Sequence, residues 1–108
     1  MQITNEKMEE TVLFLSQTDQ EMARLKALTN GLDRQTKTIK AQAFMRSGES
    51  SVSAREQAAY LSPDYRRHLE RLNEAEYEMM TLQEQRNTAI VVIDCWRSLN
   101  ASRRAGNV

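Results

Sequence analysis

Between Asn5 and Met45 the apolar residues Met8, Val12, Leu15, Met22, Leu25, Leu28, Leu32, Ile39 and Ala43 recur in steps of three, four or seven. That spacing lays side chains along one face of an α-helix. No proline interrupts the stretch and Gly31 is its one glycine, so the pattern predicts a long amphipathic helix over about residues 5–45. Thr4 offers a capping hydroxyl, and Glu6 puts an acid in the first turn, where the helix dipole favours negative charge. Asp19 interrupts the stripe.

Arg46-Ser-Gly-Glu-Ser-Ser-Val-Ser53 has a turn-like composition and no helical period, which places the chain reversal at about residues 46–53. Ser53-Ala-Arg-Glu56 has the form of a capping box, in which the serine hydroxyl and the glutamate satisfy each other's backbone amides, and predicts a short helix over about 54–61. Ser62-Pro63-Asp64 then supplies a cap, a proline at the first helical position and an acid in the first turn. From there Tyr65, Leu69, Leu72, Ala75, Met79, Leu82, Arg86, Ala89, Ile93 and Trp96 alternate in steps of four and three, the period of a coiled coil. A second long helix is expected over about 63–100, with residues 101–108 frayed. Arg86 stands in the apolar seam, where it either pairs with an acid such as Asp19 or snorkels out.

These elements predict an all-α fold, a long antiparallel coiled-coil-like hairpin with a short helix at its turn, forming one domain over residues 1–108. A hairpin has a single seam to bury, and the apolar Ile90, Val91, Val92 and Trp96 lie beside it. Further copies are therefore expected to pack on the second helix, and the homo-oligomer interface is assigned to Met79, Leu82, Ile90, Ile93 and Trp96.

Composition narrows the function classes. With 108 residues and 6% aromatics the chain has little material for an enzyme-sized core. Cys95 is its one cysteine and His68 its one histidine, so neither a disulfide framework nor a nitrogen–sulfur metal site is expected. No phosphate loop, nucleophile elbow or zinc-protease motif occurs, and no catalytic role, cofactor or metal is assigned. The run Ala89-Ile-Val-Val-Ile93 is too short to span a membrane, and the acidic start MQITNEKMEE is unlike a signal peptide. A cytoplasmic location is expected.

Fifteen bases and fifteen acids cancel to a net charge of zero, but their distribution is uneven. Residues 1–33 carry six acids and three bases, and residues 34–71 carry eight bases and four acids. The hairpin brings Lys37, Lys40 and Arg46 from one side and Arg55, Arg66 and Arg67 from the other to one end, interleaved with Phe44, Tyr60, Tyr65 and His68. Cations beside flat rings are what a single-stranded nucleic acid requires, since cations neutralise phosphates and rings stack on unpaired bases. The same residues also suit a solvated face around rings that close the hairpin core. A smaller basic patch, Arg97, Arg103 and Arg104, either complements the helix C-terminus or pairs with the acid-rich start of the first helix.

The succession Thr38-Ile-Lys-Ala-Gln-Ala-Phe-Met-Arg46, a Ser/Gly turn, Ala54-Arg-Glu-Gln57, Asp64-Tyr65 and a long helix ending Ile93-Asp-Cys-Trp-Arg-Ser98 resembles the small phage recombination mediators of the UvsY-like family. The resemblance covers about residues 37–104 and leaves the acid-rich first third without a counterpart. It implies a non-enzymatic protein that binds single-stranded DNA, assembles into a ring-like homo-oligomer and helps a RecA-type recombinase replace a single-strand-binding protein. By position, Lys37, Lys40, Arg46, Arg55, Arg66 and Arg67 would contact DNA, and the helix through Trp96 would carry assembly. The rings of the basic end independently offer Tyr60 or Tyr65 as a stacking surface. The alternative is a helical adaptor, scaffold or host-nuclease inhibitor that binds protein only.

Overall fold

The computed structural model of the chain describes residues 2–106 and contains three helices, α1 (Asn5–Arg46), α2 (Val52–Leu61) and α3 (Pro63–Gly106). α1 and α3 pair as the arms of a helical hairpin, and α2 lies at the turn. Thr4 caps α1, its Oγ1 accepting the Lys7 amide at 3.0 Å. Gly48 turns the chain with φ of +73°, a left-handed conformation that side chains with a Cβ rarely adopt.

Three boundaries differ from the sequence expectation. Ser51, not Ser53, caps α2, with extended backbone (φ −101°, ψ 153°) and its Oγ accepting the Ala54 amide at 3.1 Å. Ser53 is thereby drawn into the first turn, and Glu56 lies beside Lys40 instead of completing a capping box. The turn accordingly closes at Ser51. α3 does begin at Pro63, but it continues to Gly106 where fraying was expected from residue 101. Ala101, Ala105, Arg103 and Arg104 are strong helix formers, and the two arginines sit in the last turn, where the dipole favours cations. Of the tail expected to fray, residues 107 and 108 lie outside the described region.

Packing divides into two units, each built from α1 and α3. In the unit Arg24–Met79, Leu32, Leu72 and Ala75 form a buried apolar cluster. Its buried face continues through Leu25 and Thr29 on α1 and His68 on α3, with Thr36 half-buried and Ala59 of α2 fully buried. In the unit formed by residues up to Ala23 and from Met80 onward, Ile3, Thr11, Met22 and Ala89 are buried, and Leu15, Thr18, Leu82, Arg86, Ile93 and Trp96 are half-buried.

The seam is more polar than the apolar pattern suggests. Val12 and Leu28 are 48% and 40% exposed, while Thr11 and Thr29 are buried in their place. On α3, His68 is buried where Leu69 was expected. Thr11, Leu15, Thr18, Met22, Leu25, Thr29, Leu32, Thr36, Ile39 and Ala43 alternate strictly in fours and threes, so a true heptad runs through the threonines. The hydroxyls of Thr11, Thr18 and Thr36 donate to the carbonyls of Lys7, Phe14 and Leu32 one turn back, at 2.7, 2.8 and 3.3 Å. Each then behaves as a short β-branched residue whose polar atom is already satisfied.

Two polar contacts fix the pairing of the arms. Thr36 Oγ1 lies 2.9 Å from His68 Nε2. Arg86 donates to the Leu15 carbonyl at 2.9 Å, to Thr18 Oγ1 at 2.6 Å and to Asp19 Oδ1 at 2.6 Å. Of the two fates open to Arg86, pairing with Asp19 is the one observed, and its side chain is only 17% exposed. A seam arginine leaves donors unmatched in any other alignment, so it opposes slippage of the arms.

Thr29 Oγ1 is the exception, buried without a hydrogen-bond partner. An unsatisfied buried hydroxyl costs about 1–3 kcal/mol, and valine has the same shape without it. Thr29→Val is expected to raise stability by about 1 kcal/mol, seen as a melting temperature higher by roughly 4 °C. A neutral or destabilising result would mean that the hydroxyl is satisfied in solution.

Candidate nucleic-acid interface at the turn

α2 packs its Ala59 inward and presents Arg55, Glu56 and Tyr60 toward the end of α1. Lys40 Nζ donates to the Tyr60 hydroxyl at 2.7 Å, lies 3.8 Å from the centroid of that ring and stands 4.0 Å from Glu56 Oε1. The hydrogen bond to Tyr60 is the chief reason that the Lys40 ammonium is held above the ordinary lysine value of 10.5. Its contribution to the fold is therefore complete through neutral pH and is lost only as pH climbs beyond that value. Tyr60 meets Tyr65 edge to face, with centroids 6.0 Å apart and planes at 76°.

A groove of about 340 Å³ on this side is lined by Lys37, Lys40, Ala41, Phe44, Val52 and Glu56. Arg55 lies over the Phe44 ring at 5.9 Å and donates its Nε to the Glu49 carbonyl at 2.7 Å. A second set of contacts centres on Asp64, whose carboxylate holds Arg67 at 2.5 Å and Arg46 at 3.8 Å.

The six cations expected to contact DNA thus divide by their contacts. Lys40 and Arg55 engage the Tyr60 and Phe44 rings. Arg46 and Arg67 share Asp64. The side chains of Lys37 and Arg66 are exposed and make no ion pair or hydrogen bond to another described residue. Of the two rings expected to offer a stacking surface, Tyr65 is half-buried and Tyr60 is the more open, at 45% exposure. His68, counted among the flat side chains of this end, is 3% exposed and bonded to Thr36, so it is a seam residue and cannot stack on a base. Sequence spacing could not show that Asp64 would engage two arginines, because its place after Pro63 already accounts for it as a helix-start acid.

Of the residues assigned to the oligomer interface, Met79, Leu82, Ile93 and Trp96 are half-buried at heptad positions of α3, and Ile90 is 47% exposed. The widest apolar exposure on α3 falls instead on Tyr77 and Met80, at 73% and 61%. Among the described residues no cluster of three or more His, Cys, Asp or Glu could hold a metal, and no helix is long and apolar enough to cross a membrane. No protein-family model matches the chain, and no curated protein or solved structure is significantly similar to it.

Proposed function

We propose that this chain is a non-enzymatic, self-assembling helical hairpin that binds single-stranded DNA at its turn and acts as a recombination mediator, helping a RecA-type recombinase displace a single-strand-binding protein. The observation that carries the DNA-binding part is the Tyr60 ring, 45% exposed, with the Lys40 ammonium over one face and the Tyr65 ring edge to face, next to the groove that Lys37 lines with Lys40. A base stacked on Tyr60 would place its phosphates among Lys37, Lys40 and Arg55, uniting stacking with charge neutralisation. The mediator role follows the resemblance to UvsY-like proteins. Assembly is supported by the thin core, since no large side chain among the described residues is fully buried, and by the apolar surface of α3.

The pairs holding Arg46 and Arg67 are largely exposed, and such pairs contribute only about 0–1 kcal/mol, so phosphates can compete for these arginines. Asp64 is then a brake on binding. Asp64→Asn should tighten binding of an oligothymidylate several-fold and steepen the dependence of log affinity on log salt by up to roughly 1.4, or about 0.7 for each cation released. Unchanged or weaker binding, with helicity intact, would contradict this use of Arg46 and Arg67.

Exposed Tyr77 and Met80 favour a second reading, a helical adaptor, scaffold or nuclease inhibitor that engages protein through α3. It predicts no binding of oligonucleotide even at low salt.

A further inference from the structure

The continuation of α3 to Gly106 brings together residues that a frayed tail would scatter. At 3.6 residues per turn, Trp96, Arg97, Asn100, Arg103 and Arg104 fall within about a third of the helix circumference. They line a groove of about 420 Å³ in the unit that contains the start of α1 and the end of α3. The indole is half-buried and the three arginines are exposed. None of those arginines makes an ion pair or hydrogen bond to another described residue, and no acid follows Asp94 in the sequence. The acid-rich start of α1, one expected partner, does not take them up: Glu6, Glu9 and Glu10 form no ion pair with them.

The other expected role, complementing the helix C-terminus, leaves most of this charge unused. A helix end presents roughly half a negative charge, and its influence fades within the last turn. Arg103 and Arg104 lie in that turn, whereas Arg97 lies well before it. Three guanidiniums beside an indole and a carboxamide form a surface suited to phosphates, with planar donors for their oxygens and a ring for an unpaired base. The contrast with the turn is chemical, because there Lys40, Arg46, Arg55 and Arg67 are all engaged within the chain.

We propose that the groove of Trp96, Arg97, Asn100, Arg103 and Arg104 is a second binding site for single-stranded nucleic acid, with the arginines on successive phosphates and the indole stacked on a base. The site rests on the single-strand-binding reading above and adds a contact surface that does not involve the turn.

Trp96 is the only tryptophan in the chain, so fluorescence excited on the red edge, where the indole absorbs and the tyrosines do not, reports this groove and not the Tyr60 and Tyr65 rings of the turn. Titrating the full chain at low salt with an unlabelled oligothymidylate should quench that fluorescence saturably. The triple substitution Arg97→Gln, Arg103→Gln, Arg104→Gln should weaken the quench-detected affinity tenfold or more and reduce the salt slope by roughly 2, about 0.7 for each lost contact. Far-UV circular dichroism confirms that α3 is retained. Binding detected by anisotropy of a labelled oligonucleotide, with fluorescence unquenched or insensitive to the triple substitution, overturns this site while leaving the turn as the interface. A triple variant that lowers the mass of the assembly but keeps the parent's oligonucleotide affinity also overturns it, and assigns the groove to an acidic protein segment. Absence of any binding by anisotropy overturns the single-strand-binding reading itself.

Discussion

Replacing Leu32 by alanine is expected to destabilise the fold by about 2–5 kcal/mol, while Leu28→Ala, four residues away on the same helix, changes stability by less than about 1 kcal/mol. Both leucines belong to the apolar stripe of α1, but only Leu32 joins Leu72 and Ala75 in the buried cluster, at 6% exposure against 40% for Leu28. Truncating Leu32 removes the apolar area and leaves a void in a core with few other large buried side chains. Small domains are stable by only about 5–15 kcal/mol, so this loss lowers the melting temperature by roughly 10 °C or more. Leu72→Ala and Leu69→Ala should repeat the contrast on α3. Thermal unfolding followed by helical ellipticity checks it, and equal effects within either pair would contradict the heptad through Thr29 and His68.

The second large effect is expected at the turn. Lys37→Glu combined with Arg66→Glu removes two exposed cations whose side chains have no partner among the described residues and substitutes two charges that repel phosphate. The salt slope of single-strand binding should fall by roughly 1.4, and affinity at low salt should drop on the order of 100-fold or more. Arg67→Ala should have a milder effect, because that guanidinium already holds Asp64. Tyr60→Ala should cost about 1–3 kcal/mol per stacked base at nearly unchanged slope, which separates stacking from charge. These variants leave the seam untouched, so parent-like helicity is the control, and parent-like binding by the double glutamate variant would remove the turn from the interface.

Much of this architecture is legible in the sequence because two long periodic segments, a single proline at a helix start and a serine-rich reversal all favour the same hairpin. The misread positions share a cause. Val12 and Leu28 are more hydrophobic than Thr11 and Thr29, so an apolar count selects them, yet the regular alternation of fours and threes places the threonines inward. The preceding turn satisfies the hydroxyl of Thr11, as it does those of Thr18 and Thr36, which removes most of the penalty that polarity would suggest, whereas Thr29 still bears it. His68 is similar, since its burial depends on Thr36 arriving from the other arm, a pairing that sequence distance hides. Arg86 was legible for the opposite reason. An arginine in an apolar seam demands an acceptor, and Asp19 is the acid that interrupts the facing stripe.

At the turn, sequence located the cations but not their engagements. Arg46, Arg55 and Arg67 count equally in a charge tally, while the fold commits each to an oxygen of its own chain. The side chains of Lys37 and Arg66 remain uncommitted among the described residues, a distinction set by contacts that form only on folding. The arginines near the end of α3 were legible as a patch, but expected fraying concealed their alignment with Trp96.

The most direct test is a fluorescence-anisotropy titration of a labelled oligothymidylate with the full chain from low to physiological salt, with unlabelled duplex as competitor. Saturable binding that weakens linearly in log–log salt, resists duplex competition and loses slope in the Lys37→Glu, Arg66→Glu variant is the predicted result. No binding at low salt, or affinity that ignores salt, would contradict a single-strand-binding function and favour the protein-binding hairpin.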